Sequence, residues 1–230
     1  MKKNKRKFYF KPLDWLCIFA GFTISVLTFF LDQDHSLIYN ISSVLMLNCG
    51  VLETILLING RRSNYLFAVF CALASICVAF VDQFYGNMAI NVYYAAISII
   101  GFYLWNQHVD KNKTVIARKL TLKQTIVLIL ALAVFSAGLN LVLLFFDGHS
   151  TVADSISTVL IIVASILGVL RYREQWLVWI ATDIITLAMW GPVGSPAVVA
   201  LRTFYILSSV YGYFNWRKLI KNNKTKKAAR

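Results

Sequence analysis

Eight stretches of mainly apolar residues run along the chain, from Leu13 to Leu31, Leu37 to Ile58, Tyr65 to Val81, Met88 to Trp105, Leu122 to Phe146, Val152 to Leu170, Trp176 to Trp190 and Ala197 to Trp216. A helix rises 1.5 Å per residue, so ~20 such residues cross the ~30 Å hydrocarbon layer of a bilayer. The pattern predicts an all-α integral membrane protein of about eight transmembrane helices. The seventh stretch is short by this measure, and the second and sixth carry acids, so their ends are the least sharply marked.

Charge placement supports the same count. Arg61 and Arg62, then Lys111, Lys113, Arg118, Lys119 and Lys123, then Arg171 and Arg173 fall between alternate pairs of stretches, while the intervening connections hold Asp32, Asp34, Asp82 and Asp147 and no Lys or Arg. Cytoplasmic loops carry the excess of Lys and Arg. Both termini are therefore expected in the cytoplasm, on the inner face of the cell membrane. Arg202 is the basic residue left inside a span.

Composition agrees, since 59% of the 230 residues are hydrophobic and 14% charged. A soluble domain of this make-up would expose far too much apolar surface. The net charge of +13 would suggest nucleic acid in a soluble protein, but Lys2, Lys3, Lys5, Arg6 and Lys7 crowd one end and Arg217, Lys218, Lys221, Lys224, Lys226, Lys227 and Arg230 the other. These are membrane-flanking charges, and no nucleic-acid partner is expected. The basic start followed by an apolar run resembles a signal peptide, but the run is long and lacks a small-residue cleavage site, so it is expected to remain as a first helix. Cys17, Cys49, Cys71 and Cys77 lie in apolar runs without metal spacing and are read as small packing residues.

An internal repeat organises the chain. Shifted by the distance from Arg62 to Arg173, Tyr65 falls on Trp176, Tyr94 on Tyr205, Ser98 on Ser209, Gly101 on Gly212 and Trp105 on Trp216. Both copies end in Gly-x-x-x-Trp. Three helices leave a repeat on the side opposite its start, so a joining helix is needed to insert the second copy in the same sense. The expected organisation is a basic N-terminus and extra helix over 1–36, a first three-helix repeat over 37–106, a cytoplasmic loop and linker helix over 107–148, a second repeat over 149–217 and a basic tail over 218–230. Parallel repeats of this kind build the sugar carriers called SWEETs, with the substrate between the repeats near the midplane.

Polar groups at membrane depth are costly and mark sites by default. Trp176, Trp179 and Asp183 follow one another at spacings of three and four, so they share a helix face that Thr186 and Trp190 continue. One reading is an aromatic wall for a flat ring with a carboxylate that pairs with a cation or accepts from sugar hydroxyls. The plainer reading makes the two Trp interfacial anchors and Asp183 a partner within the bundle. Glu53 and Arg202 have opposite sign, but Glu53 lies near the inner end of its helix and Arg202 near the outer end of the last. Arg202 is instead expected to reach outward or meet Asp154. Asn91 and Tyr94 occupy the repeat positions of Arg202 and Tyr205, which adds all four to the candidate substrate-binding set. Asn48 and Glu53 join it, with Asn140 and Tyr211 behind, although a lone Asn in a membrane helix commonly bridges helices. His35, His108 and His149 fall in loops on different sides, and no nucleophile motif or phosphate loop appears. No enzyme, cofactor or metal is expected.

The stretch Arg173 to Asp183, reading REQWLVWIATD, and the endings NVYYAAISIIGFYLW and FYILSSVYGYFNW resemble the PnuC family of bacterial vitamin transporters, from the second helix to the C-terminus. That resemblance implies a SWEET-like fold, a homotrimer, and facilitated diffusion of nicotinamide riboside with trapping by a cytoplasmic kinase that phosphorylates it. The family also includes thiamine and riboflavin carriers, and Asp183 suits cationic thiamine equally well. A membrane scaffold whose basic tail gathers anionic lipid is the alternative of a different class.

Overall fold

The computed structural model describes residues 9–31, 36–110, 113–145, 151–190 and 196–228. These form eight helices: α1 (Pro12–Leu31), α2 (Leu37–Ile58), α3 (Asn64–Val81), α4 (Tyr85–Asn106), α5 (Leu122–Phe145), α6 (Thr151–Val169), α7 (Gln175–Trp190) and α8 (Pro196–Ala228). The apolar runs placed most of these ends to within one residue. Pro12 and Pro196 stand at first helical positions, where their fixed φ suits the helix and no N–H is lost. Ser36 caps α2 by accepting the N–H of Tyr39 at 3.3 Å. Among the described residues six helices, α1 to α6, are long and apolar enough to cross a membrane, whereas α7 is apolar but short. Where the apolar pattern stops at Trp216, α8 continues to Ala228. The basic segment that follows contains Lys, Ala and Asn but no Gly or Pro, so nothing breaks the helix.

The chain divides into two compact units, Met1–Ile116 and Ala117–Arg230. In the first, α1 packs on α2, α2 on α3 and α3 on α4; in the second, α5 packs on α6, α6 on α7 and α7 on α8. Each three-helix repeat thus carries one flanking helix on its N-terminal side, and the fold is the extra helix followed by three, one and three. None of the residues of α5 is buried within the chain.

The repeat seen in the sequence reappears in the backbone. After α2, Arg61 N–H donates to the Leu56 carbonyl at 2.8 Å; after α6, Tyr172 donates to Leu167 at the same distance. Both turns pass through a left-handed residue, Gly60 at φ 64° and Arg171 at φ 65°. Each exposes a carbonyl that accepts from the segment between α4 and α5, Gly60 from Val115 at 2.9 Å and Arg171 from Arg118 at 2.7 Å. A side chain in that region costs about 1–2 kcal/mol, which Arg171 tolerates and Gly60 avoids. Gly60→Ala is therefore expected to lower the melting temperature in detergent by a few degrees, about 2–4 °C per kcal/mol for a protein of this size.

Side-chain packing repeats as well. In the first unit the Tyr65 ring stands edge-on to Trp105 with centroids 5.1 Å apart. The Trp176 ring stands in the same way to Trp216 at 6.0 Å. Both Trp105 and Trp216 are fully buried. Arg62 lies over the Phe102 ring and Arg173 over the ring of Tyr213, again one repeat apart. Ser98 and Ser209 are buried alike. The hydroxyls of Ser75 and Thr186 each donate at 2.8 Å to the carbonyl one turn back, Cys71 and Thr182.

Candidate functional site

The α7–α8 hairpin holds the charged group at membrane depth. Asp183 is buried on α7, and its Oδ1 accepts from Nη1 of Arg202 on α8 at 3.2 Å. The expectation that Arg202 reaches outward or meets Asp154 is corrected: its partner is Asp183. The reason is reflection in an antiparallel hairpin. Asp183 lies seven residues before the end of α7 and Arg202 six after the start of α8, so each stands ~10 Å along its helix from the facing ends of the pair at 1.5 Å per residue. The Asp183 side chain is 7% exposed and that of Arg202 34%, so the carboxylate is enclosed and the guanidinium only partly.

The helix face predicted from Trp176, Trp179 and Asp183 divides between neighbours. Trp176 is spent on helix packing, with its ring against Gly212 and Trp216. It is 2% exposed, so it is a core residue and not an interfacial anchor. Trp179, partly buried, packs against an apolar cluster formed largely by Leu160, Ala164 and Leu167 of α6 with Val178. It stands one turn from Asp183 and keeps part of its ring uncovered. Thr182, between them, is buried and bonds back to the Val178 carbonyl at 2.9 Å. On α8, Tyr205 is partly buried beside Phe204, with ring centroids 5.7 Å apart.

Most of the remaining candidates belong to the first unit, and Asn140 to the second. Asn48 donates to Ser25 Oγ at 2.7 Å and to the Val44 carbonyl at 2.8 Å, so it ties α2 to α1. That is the helix-bridging role of an isolated Asn. Asn91 donates to the Asn87 carbonyl of its own helix at 2.8 Å, and Tyr94 lies tilted beside Tyr93 at 5.9 Å. Glu53 is partly buried on α2. Asn140 bridges α5 and α6 as acceptor for the Ser155 hydroxyl at 3.4 Å. The site residue that sequence reasoning assigned differently is thus Arg202, and the available signal was its equal distance with Asp183 from the connecting loop.

An enclosed carboxylate one turn from a tryptophan, in a duplicated three-helix fold, invites comparison with known carriers. A family described as nicotinamide mononucleotide transporter matches residues 40–218. A protein of Haemophilus influenzae named nicotinamide riboside transporter PnuC is 34% identical over 217 residues, covering 92% of each chain. One of Neisseria mucosa with the same name is 31% identical, covering 91% of this chain and 81% of that one. A crystal structure of a vitamin B3 transporter PnuC superposes with a TM-score of 0.77 at 27% identity, covering 94% of both chains. The chain belongs to the PnuC family. It is a transporter by family and not an enzyme, a multi-pass protein of the inner membrane.

Within this PnuC chain the two repeats differ where the charges lie. Asp183 takes the repeat position of Ala72, Arg202 that of Asn91, and Glu53 that of Ala164. Ala72 and Ala164 are buried, at 3% and 0% exposure, so in each case an acid replaces a packed methyl group in otherwise matching surroundings. The fold is duplicated, but its chemistry is not.

Proposed function

We propose that this protein carries nicotinamide riboside across the cytoplasmic membrane by facilitated diffusion. The observation that carries the reading is the enclosed Asp183 carboxylate beside Trp179 on α7. A pyridinium ring is a flat cation, which an indole face attracts and a carboxylate neutralises. The ribose hydroxyls supply further donors to the same carboxylate.

The family description names the mononucleotide and the relatives' names the riboside, and the two ligands differ by a phosphate. A phosphate needs cationic partners, best a bidentate guanidinium. Arg202 is the single Lys or Arg between Gln175 and Trp216, and the carboxylate beside it, Asp183, repels a phosphate. The site therefore suits the unphosphorylated riboside. The curated relatives compared above carry its name, and neither thiamine nor riboflavin.

Both termini face the cytoplasm, supported by the alternation of basic and acidic connections. The protein acts as a homotrimer, supported by the unburied surface of α5, which leaves apolar faces for neighbouring copies as well as lipid. Trapping falls to a separate cytoplasmic kinase, because the phosphorylated product no longer fits the carrier. The functional divisions are the basic N-terminus with the extra helix over 1–36, the first repeat over 37–106, the cytoplasmic loop and linker helix over 107–148, the second repeat over 149–217 and the basic tail over 218–230.

Because the riboside is a cation, its facilitated diffusion moves charge. In proteoliposomes an inside-negative potential of 100 mV, worth about 2.3 kcal/mol per charge, should accumulate labelled riboside about 50-fold, and without potential the inner and outer concentrations should become equal. No uptake, or accumulation indifferent to potential, contradicts this mechanism.

A further inference from the structure

The Asp183–Arg202 pair is absent from the first repeat, although the surrounding hairpin is the same. Around Ala72 and Asn91 the chain forms the same aromatic contact through Gly101, the same buried Ser98 and the same Ser75 hydroxyl bond as their counterparts around Asp183 and Arg202. The neutral Asn91 is satisfied by its own helix. The hairpin therefore folds without an ion pair at this level. Buried pairs also contribute little net stability, since desolvation offsets most of their attraction.

The geometry also leaves Arg202 able to leave. One Nη1 contact at 3.2 Å joins it to Asp183, out of five N–H donors that a guanidinium offers. Its side chain is one-third exposed where the carboxylate is almost enclosed, and long basic side chains extend readily along a helix towards the membrane surface.

We infer that Arg202 is the specificity-determining counter-ion of the site, pairing with Asp183 in the empty carrier and yielding that carboxylate to the cationic ring of the substrate. The inference rests on the riboside reading and deepens it. One carboxylate buried in a low dielectric neutralises one cation well and two poorly, so ligand and Arg202 compete. The competition lowers affinity enough for the substrate to be released and keeps Asp183 neutralised between transport cycles. An uncharged ligand of the same shape does not displace Arg202 and gains nothing from its removal.

The test is equilibrium binding to purified protein in detergent, with nicotinamide riboside and its reduced form, whose ring is uncharged. Arg202→Asn, which installs the residue of the first repeat, should tighten the cationic form about tenfold and leave the reduced form unchanged or weaker. Arg202→Gln should do the same, and Arg202→Lys should retain the wild-type preference. In an Asp183→Asn background Arg202→Asn should no longer change the affinity for the cation. The double variant Asp183→Ala with Arg202→Asn, which copies the first repeat at both positions, should melt close to wild type and serves as the folding control. If Arg202→Asn weakens both forms alike, or acts equally in the Asp183→Asn background, Arg202 is not a competing counter-ion. If the wild type binds neither form, the riboside reading fails and this inference with it; parallel shifts in a wild type that binds overturn the inference alone.

Discussion

Asp183→Asn is expected to weaken binding of nicotinamide riboside by about 10- to 150-fold, from the roughly 1.5–3 kcal/mol that a hydrogen bond involving a charged group contributes. The substitution keeps size and shape, so the Trp179 face and the packing of α7 on α8 persist. What it removes is the only acid of α7, and with it the charge that complements a pyridinium. Arg202 then loses its partner. Breaking a buried pair by removing one member costs several kcal/mol when the survivor is fully enclosed, but Arg202 is one-third exposed and can relocate. Stability should fall only modestly while affinity collapses. Isothermal titration of the variant beside its melting curve separates the two effects. A loss of binding matched by a loss of fold would instead make Asp183 a structural residue.

The second large effect concerns packing and has its controls within the chain. A Cβ on Gly212 would lie 2.7 Å from three ring atoms of Trp176, and one on Gly101 would lie 2.5 Å from the ring of Tyr65. Neither ring has room to retreat, since Trp176 and Tyr65 are 2% and 7% exposed. Gly212→Ala and Gly101→Ala should each destabilise by about 1–3 kcal/mol, the usual cost of overpacking, and lower the melting temperature by several degrees. At Gly86 and Gly138 an added Cβ meets nothing within 4 Å. There the Ala variants should be neutral or more stable by up to about 1 kcal/mol, because Ala favours the helix over Gly. Similar losses at Gly101 and Gly212, and none at the other two, would show that both Gly-x-x-x-Trp endings do the same work. Melting curves of the four variants read this directly.

The sequence read helices better than partners. Apolar length alone locates a span, because the bilayer sets a fixed thickness and loops at that depth are forbidden. α2 and α5 accordingly began where the apolar runs begin. The end of α8 was not legible in this way, since beyond Trp216 helix formation depends on the lack of a breaker and not on hydrophobicity. The repeat was legible because Arg, Gly and Trp are rare enough in apolar sequence for matches to carry information, and the matched Arg, Gly and Trp proved to have packing roles. The plainer reading made Trp176 an interfacial anchor, yet spacing and depth do not say which face of a helix meets its neighbour. The partner of Arg202 escaped because depth was judged helix by helix. Measuring Asp183 and Arg202 from their shared loop brings them together, as the hairpin does.

The most direct test of the central claim uses the six tryptophans of the purified protein. Their fluorescence is followed while nicotinamide riboside, nicotinamide mononucleotide, thiamine and riboflavin are titrated in parallel. Saturable quenching by the riboside, much weaker with the mononucleotide and thiamine and lost in Trp179→Ala and Asp183→Asn, is the predicted result. Quenching by the mononucleotide or thiamine in preference to the riboside, or riboside quenching that survives both substitutions, would contradict the account.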